Sequence, residues 1–113
     1  MHEMSLAESV LQLVEETAIR EKAQRVKLVV LEIGRLSSVG PEAMRFCFEA
    51  VTRDSIAQGA SLEIVVTPGL GWCMPCGAEV EMAESYGACP RCGSYQVQPT
   101  GGLEMRVREI EIE

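Results

Sequence analysis

Hydrophobic residues recur at helical spacing near the amino terminus and again in the middle of the chain. The first stripe follows Ser5 and Glu8, which have the spacing of a capping box, and it predicts a helix from about Leu6 to Glu21. The second follows Gly40, with Pro41 at the first helical position. Its apolar members are Met44, Cys47, Phe48 and Val51. We therefore expect two helices, each with one buried face.

Three further segments have the hydrophobic composition of β-strands. Residues 26–33 are rich in Val, Leu and Ile on both faces, which is typical of a central strand. The second segment alternates, with apolar residues at Leu62, Ile64 and Val66. In the last segment the apolar residues change phase between Val107 and Ile110. Either a bulge near Arg108–Glu109 corrects that phase, or the strand is covered on both sides.

The order of these elements predicts an α+β fold. Residues 1–68 plus 101–113 are expected to form a small domain with two helices and a three-stranded sheet. Residues 69–100 interrupt it before the last strand, and their glycines, prolines and cysteines predict a separate ribbon-like insert. A chain of 113 residues has room for one domain with such an insert.

Composition and charge exclude several classes of protein. The longest strictly aliphatic run, 28–31, is far shorter than the roughly 20 residues of a membrane helix. The first residues lack the basic segment of a secretory signal, so we expect a cytoplasmic protein with no membrane partner. The net charge is −7, and Arg91 is the one basic residue between 69 and 100. A nucleic-acid partner is therefore not expected, because binding phosphates requires a basic surface.

Four of the five cysteines stand in two C-x-x-C pairs, each followed by a glycine. In such a pair a tight turn presents two thiolates, and the glycine tolerates a positive φ. Twelve residues separate the pairs, enough for a short hairpin that brings them face to face. Four thiolates in a tetrahedron describe a closed, structural Zn²⁺ site. The predicted zinc ligands are Cys73, Cys76, Cys89 and Cys92.

Three rival interpretations of the cysteines stay open at this point. A thioredoxin-like dithiol uses one C-x-x-C at the start of a helix, whereas this chain has two. Four thiolates also suit rubredoxin-type iron. A segment without metal would depend on Trp72, Tyr86 and Tyr95 for its core, so we expect metal binding to supply folding energy. Cys47 stands apart on an apolar helical face and is expected to be a small buried hydrophobe.

The amino terminus carries a second set of metal donors. His2 is the only histidine of the chain, and it follows Met1 directly. The α-amine of Met1, the imidazole of His2 and nearby backbone amides can form a square plane of nitrogens, which suits Ni²⁺ or Cu²⁺. Glu3 adds a carboxylate or its own amide nitrogen. The Ser5 capping box is expected to hold these donors beside a rigid helix.

Taken together, the motifs resemble the HypA/HybF family of hydrogenase maturation factors over the whole chain. The segments that carry the resemblance are 1–6, 31–39, 41–42, 46–49, the two cysteine pairs and 108–113. It implies a nickel metallochaperone for [NiFe]-hydrogenase, with nickel bound by Met1, His2 and Glu3 as cargo and zinc bound by the four cysteines. Residues 1–68 plus 101–113 would then bind nickel, and 69–100 would bind zinc. The implied partners are a HypB-type GTPase and the hydrogenase large subunit, and some members also serve urease.

This sequence departs from some relatives in two places. It has no histidines beside the cysteine pairs, so an exchange of thiolate for imidazole ligands is not available. The segment 37–40, before the second helix, reads Ser-Ser-Val-Gly and offers no acidic fifth ligand to nickel.

Three classes of function remain for comparison. The first is nickel delivery without catalysis, by a monomer or a homodimer. The second is a zinc-ribbon adaptor that binds a protein and ignores nickel, and the third is a dithiol oxidoreductase. We expect no enzyme activity, because one histidine and the lack of a phosphate-binding loop or a Ser/His/Asp set leave few catalytic groups.

Overall fold

The computed structural model describes residues 2–113 as an α+β protein, which confirms the predicted class. Its elements are α1 (Glu3–Arg20), β1 (Val26–Gly34), α2 (Pro41–Val51), β2 (Ser61–Thr67), β3 (Gly69–Cys73), β4 (Ala78–Met82), β5 (Val97–Gly101) and β6 (Met105–Ile112). The strands form two three-stranded sheets, one in the order β2-β1-β6 and one in the order β4-β3-β5. Neither helix within the described residues has the length and hydropathy needed to cross a bilayer.

The chain divides into two compact units. The first contains the chain up to Leu31 together with Val39–Val65 and Arg106–Glu113. The second contains Glu32–Ser38 and Val66–Met105. This division describes packing and does not test metal binding. The assignment of nickel to residues 1–68 plus 101–113, and of zinc to 69–100, stays a prediction.

The core of the first unit lies where α1 packs against α2. Each helix buries one stripe, at the spacing expected for an amphipathic helix. The buried residues include Ala7, Val10, Val14 and Ala18 of α1, Met44, Cys47 and Phe48 of α2, and Val26, Val29, Val30 and Leu31 of β1. Cys47 is therefore a core residue, as predicted.

The first helix begins earlier than the sequence indicated. It starts at Glu3 with His2 as its N-cap residue, and its first backbone bond runs from the Leu6 N–H to the His2 carbonyl at 3.0 Å. Ser5 lies inside the helix, so the predicted capping box is wrong. The capping motif indicates a helix that starts just after Ser5, but the chain can also begin the helix at Glu3. The contacts of Glu3 described below favour this earlier start.

The last strand changes phase where the sequence indicated. Met105 and Val107 are half-buried, then Arg108 and Glu109 are both exposed, and Ile110 begins the opposite alternation. Two successive exposed residues are the burial pattern that a phase correction produces. In β2 the predicted alternation is only partly present, because Val66 is 52% exposed.

The second unit is a ribbon built on β3. Antiparallel pairing joins β3 to β4 and to β5, with Trp72 opposite Glu79 on one side and Gln98 on the other. Its buried cluster contains Leu36, Val80 and Met82 together with Cys73 and Cys89, and Cys76 and Val97 pack against it. The aromatic residues lie outside this cluster: Trp72, Tyr86 and Tyr95 are exposed. The apolar core of the ribbon is accordingly small.

Candidate metal centre

The first cysteine pair stands on a tight turn at the end of β3. Cys73 is the last residue of that strand, and the Gly77 N–H donates to the Cys73 carbonyl at 2.8 Å. Gly77 has φ +59°, a conformation that a side chain disfavours. This turn directs the thiol of Cys76 back toward that of Cys73, as the sequence predicted.

The second pair repeats the same turn. The Gly93 N–H donates to the Cys89 carbonyl at 2.8 Å, and Gly93 has φ +79°. In addition, the Arg91 N–H donates to the sulfur of Cys89 at 3.3 Å. Backbone donation of this kind stabilises a thiolate, so the turn both positions the ligands and favours their charged form.

The two turns bring the four sulfurs together. The Sγ atoms of Cys73 and Cys92 are 3.6 Å apart, and those of Cys76 and Cys89 are 3.9 Å apart. All four lie within 4.8 Å of one another. A tetrahedral ion with bonds of about 2.3 Å would separate its sulfur ligands by about 3.8 Å. The four thiols therefore fit one tetrahedral metal ion, and this donor set suits zinc or iron.

The cysteines of this group differ in exposure and in pKa. Cys73 and Cys89 are buried, whereas Cys92 is exposed. Hydrogen bonding with Cys92 and Cys73 raises the pKa of Cys76 from 9.0 to about 12. Burial raises the pKa of Cys89, but backbone donation from Cys92 and Arg91 outweighs it and lowers the pKa to about 6. Protons are thus shared unevenly among the thiols, and a divalent cation would displace them by stabilising all four thiolates.

At the amino terminus, the structure describes two of the three predicted nickel ligands. Met1 lies outside the described residues. His2 is exposed at the N-cap of α1, and Glu3 is half-buried as the first helical residue. Both belong to the first unit. Among the described residues, the four cysteines are the group of His, Cys, Asp or Glu side chains close enough to hold one metal ion. The nickel ligands at the amino terminus stay a prediction.

The carboxylate of Glu3 has a structural partner that the sequence did not reveal. Its Oε2 accepts the Gly40 N–H at 3.1 Å, and this contact is the largest cause that lowers the pKa of Glu3 from 4.5 to about 2. Gly40 is the N-cap of α2. In a capping box a glutamate three residues later would accept this N–H, but that position is Ala43. The missing local acceptor is the one sequence signal that could have indicated a distant partner.

A second residue missed by the sequence analysis supports the cysteine site. Leu36 belongs to the buried cluster of the ribbon, although it precedes the cysteines by more than thirty residues. Its N–H donates to the Gly102 carbonyl at 2.7 Å, and the Arg35 N–H donates to the Thr67 carbonyl at 3.0 Å. The segment after β1 therefore supplies part of the apolar support beneath the thiols.

Comparisons with known proteins agree on one family. The family model described as "Hydrogenase/urease nickel incorporation, metallochaperone, hypA" matches residues 1–112. The chain is 77% identical to hydrogenase maturation factor HypA of Dechloromonas aromatica and 63% identical to that of Albidiferax ferrireducens, in each case over 113 residues and the full length of both proteins.

Solved structures give the same result. The solution structure of the Ni metallochaperone HypA from Helicobacter pylori is similar with a TM-score of 0.68 and 32% identity, covering 99% of this chain and 97% of that one. A second HypA solution structure has a TM-score of 0.70 and 33% identity, covering 100% and 97%. The likeness therefore extends over the whole chain in both sequence and structure.

Proposed function

Because the chain belongs to the HypA family of hydrogenase/urease nickel incorporation metallochaperones, we propose that it delivers Ni²⁺ for the maturation of a [NiFe]-hydrogenase. Nickel is cargo in this proposal and zinc is a resident structural ion. The protein binds and transfers metal without catalysing a reaction. The observation that carries the nickel site is that the backbone amides of His2 and Glu3 lie outside the hydrogen-bond ladder of α1, directly beside the His2 imidazole.

The start of α1 leaves suitable amides beside the only histidine. The helical ladder begins with the Leu6 N–H, so the amide nitrogens of His2 and Glu3 take no part in it. Losing their protons to bind a metal breaks no bond of the helical ladder, but the Glu3 N–H would have to give up its bond to the carboxylate of its own residue. With the His2 imidazole and the Met1 amine they complete four nitrogen ligands in a square plane, which suits Ni²⁺. Their negative charge also offsets the positive end of the helix dipole.

Glu3 contributes to this site through its backbone. Sequence alone left two options, the carboxylate or the amide nitrogen. The carboxylate accepts the Gly40 N–H at 3.1 Å and so links the first residue of α1 to the start of α2. We assign the amide nitrogen as the nickel ligand and the carboxylate as the group that holds the ligand segment in place.

The cysteine site is assigned to structural zinc. The thiol separations suit one tetrahedral ion, and a closed set of four thiolates is the usual environment of structural Zn²⁺. The zinc ligands are Cys73, Cys76, Cys89 and Cys92. The ribbon has a small apolar cluster and exposed aromatic residues, which supports the proposal that zinc supplies much of its folding energy.

Partners of this protein are proposed from the family and from charge. A HypB-type GTPase and the hydrogenase large subunit are the proposed partners, with urease maturation proteins as further recipients. The net charge of −7 favours docking on a basic surface of such proteins. We place these encounters in the cytoplasm, where the chain acts as a monomer or a homodimer.

Metal analysis of untagged protein tests the proposal. Emission spectrometry should find one zinc per chain, and calorimetric titration should then find one nickel per chain. Cys47→Ala is the matched control, because this core cysteine should leave both stoichiometries unchanged. Tight zinc without nickel binding would contradict nickel delivery and favour the zinc-ribbon adaptor.

A further inference from the structure

One face of the ribbon sheet is exposed, aromatic and acidic. Residues alternate along the strands, so Gly71 and Cys73 are buried while Trp72 between them is 44% exposed. We call the exposed side the outer face, and it consists of Leu70, Trp72, Glu79, Glu81, Gln98 and Thr100. Neither metal site of the proposed function uses these side chains.

The register places two carboxylates next to the apolar residues of this face. Trp72 is directly opposite Glu79, and Leu70 is directly opposite Glu81. Opposite residues of antiparallel strands have Cβ atoms about 5 Å apart, so each carboxylate lies beside an apolar side chain. The Thr100 hydroxyl donates to Glu79 Oε2 at 3.4 Å and holds that carboxylate on the face. None of the three strands contains a lysine or arginine.

This combination recognises a cation, and arginine in particular. A guanidinium can stack on an indole while it pairs with a neighbouring carboxylate. Glu79 and Glu81 are two residues apart on one strand, which separates them by about 7 Å along the sheet. An extended peptide with arginines at alternate positions has the same spacing, because its residues i and i+2 project from one side.

We propose that the outer face docks an extended, arginine-bearing segment of a partner protein. One arginine stacks on Trp72 and pairs with Glu79, and the arginine two residues away pairs with Glu81. Phosphate-rich partners are disfavoured, because both charges of the face are negative. The chain itself contains Arg106 and Arg108 at this spacing, but both already make interactions within their own chain. A second copy is therefore the less favoured occupant.

The test uses the full-length protein with zinc bound and three synthetic peptides. The first is acetyl-Ser-Arg-Ser-Arg-Ser-amide. The second replaces both arginines by citrulline, which keeps the shape and removes the charge. The third, acetyl-Ser-Ser-Arg-Arg-Ser-amide, keeps the charge but directs the two side chains to opposite sides of an extended chain. Trp72 is the only tryptophan, so its fluorescence reports contact at the outer face. We expect the first peptide to change the Trp72 fluorescence and to bind at least threefold more tightly than the other two peptides.

Two double variants distinguish binding at the outer face from a nonspecific attraction of the cationic peptide to an acidic protein. Glu79→Gln with Glu81→Gln removes both carboxylates of the face and should weaken the first peptide about fivefold. Glu84→Gln with Glu104→Gln makes the same charge change at exposed positions of the same unit outside the face, and it should change the affinity less than twofold. Zinc content is measured in each variant to verify the fold. Trp72→Leu, followed by calorimetry, should weaken binding about two- to fivefold.

Three results would overturn the proposal. Equal affinity for the three peptides would remove the role of charge and spacing. An equal loss of affinity for the first peptide in the two double variants would show that binding depends on the net charge of the protein and not on the outer face. Sedimentation that reveals self-association, lost in Trp72→Leu, would assign the face to a second copy of the chain.

Discussion

Cys47→Ala tests whether the fifth cysteine serves the core alone. Cys47 lies on the buried face of α2 and is 9% exposed. Deleting one buried atom of methylene size costs about 0.8 kcal/mol in transfer free energy. A residual cavity of roughly 20 Å³ adds about 0.5 kcal/mol. We therefore expect the free energy of unfolding of the first unit to fall by about 1 kcal/mol.

The assay is urea unfolding followed by helical circular dichroism, because both helices belong to the first unit. Trp72 fluorescence follows the second unit in the same samples, and its transition should not move. Met44→Ala, at a fully buried position of the same helix, should cost about 2–5 kcal/mol, whereas the exposed Glu49→Gln should cost less than about 0.5 kcal/mol. Loss of zinc or nickel from Cys47→Ala, or a shift in the Trp72 transition, would refute the reasoning.

Three other predictions concern the proposed metal sites. Cys89→Ala leaves three thiolates, so zinc binding should weaken and Trp72 fluorescence should report unfolding of the second unit at lower urea. Helical circular dichroism and nickel binding should persist. Loss of nickel binding in a variant with intact helices would contradict separate metal sites. Glu3→Ala removes the acceptor of the Gly40 N–H, so this amide should exchange faster with solvent than in Glu3→Gln, which retains an acceptor oxygen; equal exchange would contradict the contact. Because the pKa of Glu3 is lowered from 4.5 to about 2, its carboxylate should stabilise the fold fully above pH 4.5 and lose that effect as the pH falls toward 2. A urea series over this range, followed by helical circular dichroism with Glu3→Gln as reference, measures the loss.

The cysteine turns could be predicted from sequence because their chemistry is local. The spacing of the cysteines and the glycine after each pair determine the turn, and the structure has Gly77 and Gly93 at positive φ. The start of α2 was predicted for the same reason, because Pro41 fixes its first position. Burial of Cys47 followed from helical periodicity alone.

The features that were missed depend on residues distant in sequence. The start of α1 at Glu3 comes with a hydrogen bond to Gly40, thirty-seven positions along the chain. Leu36 lies in the ribbon core through contacts with residues that follow it by a similar distance or more. A local pattern can show that an acceptor is missing, as at Ala43, but it does not identify the distant residue that replaces it. Local patterns likewise could not foresee that Val66 would be exposed, because strand alternation alone does not show what covers each face.

The central claim is that nickel is held by a chelate anchored at the terminal amine. Its most direct test is calorimetric nickel titration of the native protein and of a variant with Gly-Ser added before Met1. The same dipeptide added after Glu113 is the matched control. The N-terminal extension converts the amine to an amide but keeps the imidazole, so affinity should fall by orders of magnitude, as in His2→Ala, while zinc content stays constant. The nickel affinity of the native protein should also rise with pH, because nickel displaces protons from its ligands. Equal nickel affinity in the native and N-terminally extended proteins would contradict the terminal chelate, even if His2 proved essential.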